Sequence, residues 1–540
     1  MRTRLFVVIV MVLVGGAAAP WNIVLASPEC PNVVEQGFDN TANTFADCAT
    51  VSGGYANIAS FGYATVSGGY GNDATSGYAT AGGGYKNAAS GPYATVGGGY
   101  ENFASGDTAT VGGGERNTAT SGYATVGGGS ANTASGDTAT VSGGYANTAS
   151  FGYATVGGGN VNTASSGFAT VGGGDTNIAS GNHATVGGGN RNAASGPYAT
   201  VGGGIRNTAS GPYASVGGGY ENSASANGAT VGGGVNNTAS FNSSTVGGGY
   251  GNSATAQYAT IGGGGRTNAT DAATGNRVTD NYGTVGGGGN NQAGDTTTSN
   301  RAYATVAGGR SNTASGTYAT VAGGFTNLAS GNYSFAAGRQ AKALHTGSFV
   351  WGDSAAANIA STGANQFIAR ASGGVTFYST ANATAGVRLE PGAGAWSTLS
   401  DRNSKANITA VDSASILERL ASIPIQLWNY KAQDASVKHI GPMAQDFAAA
   451  FGVGENDTTI STVDADGVAL AAIQGLHQEN QQLKARVATL EQAQQPTVTA
   501  GITMQLLVMA MALTSLSTLV LGGGVALVVM QVRRQRTSPA

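Results

Sequence analysis

Val96-Gly-Gly-Gly-Tyr-Glu-Asn-Phe-Ala-Ser-Gly-Asp-Thr-Ala-Thr110 is one copy of a fifteen-residue unit that repeats for fourteen steps without a slip. Its opening position is Val51, Val66, Ala81, Val96 and Val111, then onward to Val246 and Ile261, and its Asn returns fourteen times, from Asn57 to Asn252. Self-similarity at a short fixed period is the mark of a solenoid, in which one coil buries its apolar face only against its neighbours. Fifteen residues are too few for a helix pair, and three consecutive glycines would each cost a helix about 1 kcal/mol relative to Ala. The Tyr-Ala-Thr-Val run predicts a short strand, with Ala64 and Val66 on one face and Tyr63 and Thr65 on the other. Ala59 supplies a second small core residue in the opposite half of the coil, and Gly53 and Gly54 supply a turn that needs positive φ or close chain approach. Asn57 and its repeats are placed for turn hydrogen bonding as a ladder stacked coil on coil, a structural role rather than a ligand site.

The core so described is thin. A coil burying one Val and two Ala gains on the order of a few kcal/mol at about 25 cal/mol per Å². Ordering its residues costs about 1–2 kcal/mol each before hydrogen bonds and packing between coils are counted, so self-association is the expected remedy. Two other readings of a Gly-rich repeat fail on residue grounds. Calcium-binding nonapeptide coils need a regular Asp in every turn, and a phosphate loop needs Lys and Ser/Thr after its glycines; this unit has neither. Insertions break the period between Ile261 and Val306, where Val285 and Val306 follow at spacings of 24 and 21. They are expected to project as loops and are candidates for contact with a partner.

The unit resembles the head repeats of trimeric autotransporter adhesins, with Ala-Thr-Val-Gly in place of their Ser-Val-Ala-Ile-Gly. The likeness is sharpest at Ser334-Phe-Ala-Ala-Gly338 and Gly347-Ser-Phe-Val-Trp-Gly-Asp353. It implies a left-handed parallel β-roll associating as a homotrimer over residues 51–355, and hence a mainly β fold. The sequence lacks that family's C-terminal β-barrel translocator.

Only 9% of residues are charged and the net charge is −3, so nothing suggests a nucleic-acid partner. Arg2 and Arg4 precede the apolar run Leu5–Val14 and then small residues. This reads as a secretory signal over residues 1–26, cut after Ala26 or after Ala19. Cys30 and Cys48 lie in the segment 27–50; in an exported protein they are expected to form one disulfide that ties down the start of the rod, the alternative being two free thiols. At the other end no charged residue occurs between Glu491 and Arg533. The stretch 502–532, with Leu506–Met530 at its centre, is long enough to cross a bilayer as one helix. Arg533, Arg534 and Arg536 then place the tail 533–540 on the cytoplasmic side. The expected location is the cell membrane, with the ectodomain outside. Within 467–494, Ile473, Leu476, Asn480, Leu483, Val487 and Leu490 follow an a/d heptad seam. Asn480 at an a position favours a parallel dimer over a trimer.

After a connecting segment, 356–395, the stretch 396–495 has ordinary globular composition. On its own, Ser400-Asp401 reads as a helix cap or turn and Lys405 as a solvated charge. In order along the chain, however, come Ser400-Asp401, Lys405, Asn407-Ile408, the helix Ile416–Leu420, Trp428 with Tyr430, His439-Ile-Gly and Ala444-Gln445-Asp446, and a long terminal helix from about Gly467. This series resembles the peptidase S74 domain, the self-cleaving intramolecular chaperone of phage tailspikes, also found in membrane-anchored regulatory factors. The resemblance implies that Ser400 is the nucleophile, that Lys405 is its base and that the bond between Leu399 and Ser400 is cut. Asp401, His439 and Gln445 are possible accessories, with a structural role at least as well founded. No cofactor and no metal are called for. The sequence therefore points to a surface-displayed, adhesin-like trimeric fibre, with a host, matrix or cell-surface target, whose autoproteolytic domain assembles it and then cuts itself off. The alternatives are a membrane-anchored serine protease acting on other proteins and a regulator that releases a cleaved fragment.

Overall fold

The computed structural model describes residues 23–24, 33–34, 36–42, 48–266, 274–295 and 302–516. It divides into two units, Met1–Ser372 and Gly373–Ala540, each described here by itself. Of the expected signal segment 1–26 only Ile23–Val24 is described, as a strand paired with Thr41–Ala42; Cys30 and everything after Leu516 lie outside the described residues.

In the first unit the coils up to residue 314 contribute two strands of two residues, and some of the later strands are longer, as in Thr320–Phe325 and Phe335–Arg339. In each coil one is the Thr-Val pair, as in Thr65–Val66 and Thr110–Val111. The other ends on the Ala that follows the Asn, as in Ile58–Ala59 and Thr118–Ala119. Each pairs in parallel with the same positions of the next coil: Thr95 with Thr110, Val96 with Val111, and Ala104 with Ala119. Two ladders result, each of 22 strands among the described residues. A third line of single parallel bridges joins the residues that follow the glycines, as Tyr55 to Tyr70 and Tyr85 to Tyr100. The insertions leave this pattern intact, because Thr260 pairs with Thr284 and Thr284 with Thr305. Residues 267–273 and 296–301 of those insertions are outside the described set. The ladder also runs past residue 355, through Phe349–Gly352 to Phe367–Arg370.

The strand is shorter than the Tyr-Ala-Thr-Val run predicts. Tyr63 has φ +61°, and the Ala64 N–H closes a turn on the Phe61 carbonyl at 2.9 Å. A coil of fifteen residues must turn between its ladders, so this Tyr sits on a left-handed corner and faces outward. Such a conformation costs a non-Gly residue on the order of 1–3 kcal/mol. Stacking offsets part of this, since Tyr63 lies on Tyr78 with ring centroids 4.8 Å apart, and a stacked pair contributes about 0.5–1.5 kcal/mol.

The inside of the coil is as expected: Ala59, Ala64 and Val66 are fully buried, and so are their equivalents along the rod. The glycine turn is needed because successive coils approach closely there; a Cβ on the exposed Gly54, where φ is +94°, would lie 2.1 Å from the carbonyl oxygen of Gly69 in the next coil. Beside this column runs the buried Asn row. The Asn147 Oδ1 accepts from the Asn162 N–H at 2.9 Å, and the Asn147 Nδ2 donates to the carbonyls of Gly143 and Gly159 at 2.8 and 2.9 Å. The Asn147 N–H donates in turn to Asn132 Oδ1 at 3.0 Å. Each carboxamide thus satisfies the glycine turn of its own coil, that of the next coil, and the following Asn. A buried amide with this many partners stabilises; one left without them would cost about 1–3 kcal/mol.

The last coil is closed by an ion pair. Asp353 Oδ1 accepts from Arg370 Nε at 2.7 Å and from the Ala355 N–H at 3.1 Å, and Oδ2 accepts from the Ser372 N–H at 2.8 Å. Arg370 also donates to the Ala355 and Ala357 carbonyls. Hydrogen bonds from Ser372, then from Arg370, hold the Asp353 carboxyl well below the usual carboxylate range.

The second unit begins with an antiparallel three-stranded sheet of Val375–Tyr378, Gly386–Leu389 and Trp396–Thr398. Helix α1 (Ser413–Ser422) follows, capped by Asp412, then the antiparallel pair Gln426–Trp428 and His439–Gly441. Helix α2 (Ala444–Phe451) stops at Gly452, whose φ of +64° ends it, and helix α3 runs from Thr462 to Leu516. Helices α1 and α3 touch closely at Gly475, where a Cβ would come within 2.4 Å of the Ser413 carbonyl oxygen. The apolar core here is small: Phe447, Val468 and Ala472 are its buried members among the described residues. The heptad residues Ile473, Leu476, Leu483, Val487 and Leu490 all lie on α3 and are exposed. Asn480 Nδ2 donates to the Leu476 carbonyl one turn back, so its amide is served within its own helix. Among the described residues no helix is long and apolar enough to cross a membrane. The expected span 502–532 starts inside α3 and continues beyond the described residues, so the single membrane helix is without support there.

Replacing Asn147 by Ala should lower stability by about 1–3 kcal/mol in chemical unfolding. Asn147→Asp should cost more at neutral pH, since a carboxylate would face two carbonyl oxygens, and the excess should shrink on mild acidification. At the rod's end, a depressed carboxyl contributes stability above its ordinary pKa of about 3.9 and loses that contribution as pH falls through the folded value. Amides of residues 349–370 should therefore lose exchange protection as pH drops below about 4, after correction for intrinsic rates, while the Asn-ladder coils hold. Asp353→Asn should loosen the same segment already at neutral pH.

Candidate functional site

The strand Trp396–Thr398 delivers the chain to the site, and the Leu399 N–H is held by the Gly386 carbonyl at 3.2 Å. A tight reversal follows. Asp401 caps the 3-10 turn Arg402–Ser404, its Oδ1 accepting from the Asn403 N–H at 2.9 Å and from Asn403 Nδ2 at 3.2 Å. The Ser404 hydroxyl donates to the Asp401 carbonyl at 3.0 Å, and the Lys405 N–H to the Arg402 carbonyl at 3.2 Å. An Asx cap followed by a single 3-10 turn is the geometry that short polar residues encode locally. It folds residue 405 back over residue 400, so that Lys405 Nζ donates to Ser400 Oγ at 2.6 Å. This contact needs no long-range packing.

An open cleft of about 660 Å³ lies over the turn, lined by Leu399, Asp401, Asn403, Ser404, Lys405 and Ala406 and, from the hairpin loop between the first two strands of the sheet, by Ala383 and Thr384. Ser400 and Lys405 are both exposed. The arrangement can transfer a proton between a hydroxyl and an amine beside a peptide carbonyl. What it lacks in one chain is desolvation, which a lysine needs in order to be neutral and act as a base near neutral pH.

The other candidates fall elsewhere. His439 Nε2 lies 2.9 Å from Gln433 Oε1, and its ring packs on Trp428 and Tyr430 with centroids 4.8 and 5.5 Å away. Gln445 is in the first turn of α2. Among the described residues no hydrogen bond joins either of them to Ser400 or Lys405. Asp401 is brought to the dyad, but as the cap that shapes the turn. Asn403 and Ser404 were not foreseen, although Asp-x-Asn before a Lys is a legible Asx-turn signal. The contribution of the 379–385 loop had no signal, since it depends on how a hairpin folds back. Cys48 is disulfide-bonded. Among the described residues no cluster of His, Cys, Asp or Glu is grouped to hold a metal.

No curated protein matches the chain. The family model described as chaperone of endosialidase, Peptidase_S74, matches residues 400–453, starting at the dyad serine and running through α1, the strand pair and α2. The C-terminal part of this chain therefore carries a Peptidase_S74 chaperone domain, behind a long β-solenoid of repeats.

Proposed function

We propose that the protein is a trimeric, surface-displayed fibre whose S74 domain aligns three chains and then releases itself by cutting between Leu399 and Ser400. The observation that carries this reading is the 2.6 Å contact from Lys405 Nζ to Ser400 Oγ, directly after the strand that holds Leu399, inside the segment that matches the family. In the reaction, neutral Lys405 takes the Ser400 hydroxyl proton as Oγ attacks the Leu399 carbonyl carbon. The tetrahedral centre collapses to an ester, the C–N bond breaks, and Lys405 returns its proton to the Ser400 nitrogen. Water then hydrolyses the ester, leaving a Leu399 carboxylate and a free Ser400 N-terminus.

The dyad's exposure ties this step to assembly. The geometry is preset in one chain, while the dehydration that would free Lys405 of its proton has to come from covering the site. The same unit exposes apolar residues that a partner would cover: Leu427 and Ile440, directly paired across two strands, are 72% and 74% exposed. A two-stranded sheet with a bare apolar face is marginal alone, and each such side chain stabilises by about 1.5–3 kcal/mol when buried. With the α3 seam they suit a second and a third copy of the chain. On this reading the fifteen-residue rod is the displayed part, and adhesion is its role. Export, and anchoring through the Leu506–Met530 run, rest on the sequence pattern of the termini.

The full ectodomain should yield two fragments on denaturing intact-mass measurement, the smaller beginning Ser400-Asp401-Arg402. Ser400→Ala and Lys405→Ala should leave one uncut chain that keeps its helical signal. Leu483→Asp on the α3 seam should lower both assembly and cutting, with mass photometry and cleavage rate falling together. Processing of the Ser400→Ala chain by wild type added in trans would instead favour a protease that acts on other proteins.

A further inference from the structure

Outward-facing rings form columns along the rod. Tyr258, Tyr282, Tyr303, Tyr318 and Tyr333 stack face to face, with centroids 4.8–5.3 Å apart and planes within 18°. Tyr63, Tyr78 and Tyr93 do the same at 4.8 Å. These side chains are 44–65% exposed. They sit on left-handed corners, with φ of +56° to +68°, where Gly or Asn would be held with less strain. The chain therefore keeps a phenol at a position whose backbone disfavours it. Rings inside a run have both faces covered by their neighbours, so they offer a ligand only edges and hydroxyls and make a poor platform for a sugar. What the stack does present is the face of one phenol to the face of the next.

We propose that these tyrosine runs are sites of oxidative coupling, in which a one-electron oxidant of the peroxide–peroxidase class joins tyrosines of consecutive coils as dityrosine. Each of two stacked phenols loses its O–H hydrogen atom and becomes a phenoxyl radical. The radicals pair to form one bond between ortho (Cε) carbons; each of those carbons then gives up its proton and each oxygen regains one. The net loss is two protons and two electrons, which reduce one hydrogen peroxide to two waters. The new bond forms perpendicular to both ring planes, the direction in which stacked rings face each other. At an exposed corner, the rings have room to twist apart once they are aromatic again. Each such bond ties a coil to its neighbour outside the Val and Ala core, and a cross-link acts by constraining the unfolded chain.

The sequence supplies internal controls. Tyr123 stands between Thr108 and Thr138, Tyr145 stands between Ser130 and Asn160, and Phe168 and His183 separate Tyr153 from Tyr198. The full chain, treated with hydrogen peroxide and a haem peroxidase, is digested and mapped by mass spectrometry, with its intact mass read in denaturant. Tyr303–Tyr318 and Tyr318–Tyr333 cross-links should form within single chains, each lowering the mass by two hydrogens, and unfolding in denaturant should slow. Tyr318→Phe keeps the stack and should lose both cross-links while Tyr258–Tyr282 remains. The proposal is overturned by coupling at Tyr123 or Tyr145 as ready as in the runs, by cross-links mainly between chains, or by no dityrosine between residues 258 and 333.

Discussion

The rod depends on one constraint: every residue must lie directly above its equivalent in the coil before. Parallel pairing at the spacing of one strand turns each position of the fifteen-residue unit into a column, and a buried column tolerates only side chains that fit against their own equivalents. The buried Asn carboxamide meets that condition best. Its oxygen accepts from the next Asn while its nitrogen serves two glycine turns, as Asn72 does for Asn87, Gly68 and Gly84. Val and Ala stack by size, and Tyr stacks by its ring. The insertions after Ile261 are tolerated because they leave the paired positions in column.

This construction changes the meaning of a thin core. The Val and Ala columns are fully buried in a single chain, so association is not needed to hide them. Cohesion comes from continuous ladders and a satisfied polar column, which apolar area alone does not measure. The unit that lacks a sufficient core is the C-terminal one, with few buried apolar residues and a bare Leu427–Ile440 pair. The pressure to self-associate therefore sits in the chaperone domain rather than in the rod.

The site separates geometry from environment. Within the six residues Ser400–Lys405, the Asp401 cap and the turn through Asn403 and Ser404 set Lys405 on Ser400. Nothing in that turn dehydrates the pair. On the proposed reading, bond cleavage would wait on assembly, because covering the pair would supply the desolvation that a lysine base requires.

The sequence by itself determined the coil period, the Val, Ala and Asn columns and the glycine turn, because each is a short-range pattern read directly as backbone geometry; Ser400 and Lys405 were singled out only by the family resemblance. The fold was legible wherever a residue's role repeats along the chain. Tertiary structure decided what depends on chain returning from a distance. It placed Tyr63 on a left-handed corner rather than in a strand, because a coil of fixed length has to turn there. It carried the ladder on to Arg370, where the Asp353 ion pair closes it. It brought the 379–385 loop to the cleft and left His439 with Trp428 and Tyr430. Apart from the Tyr63 corner, which recurs with the coil, these are contacts between residues whose spacing has no period, and no local pattern in the sequence encodes them.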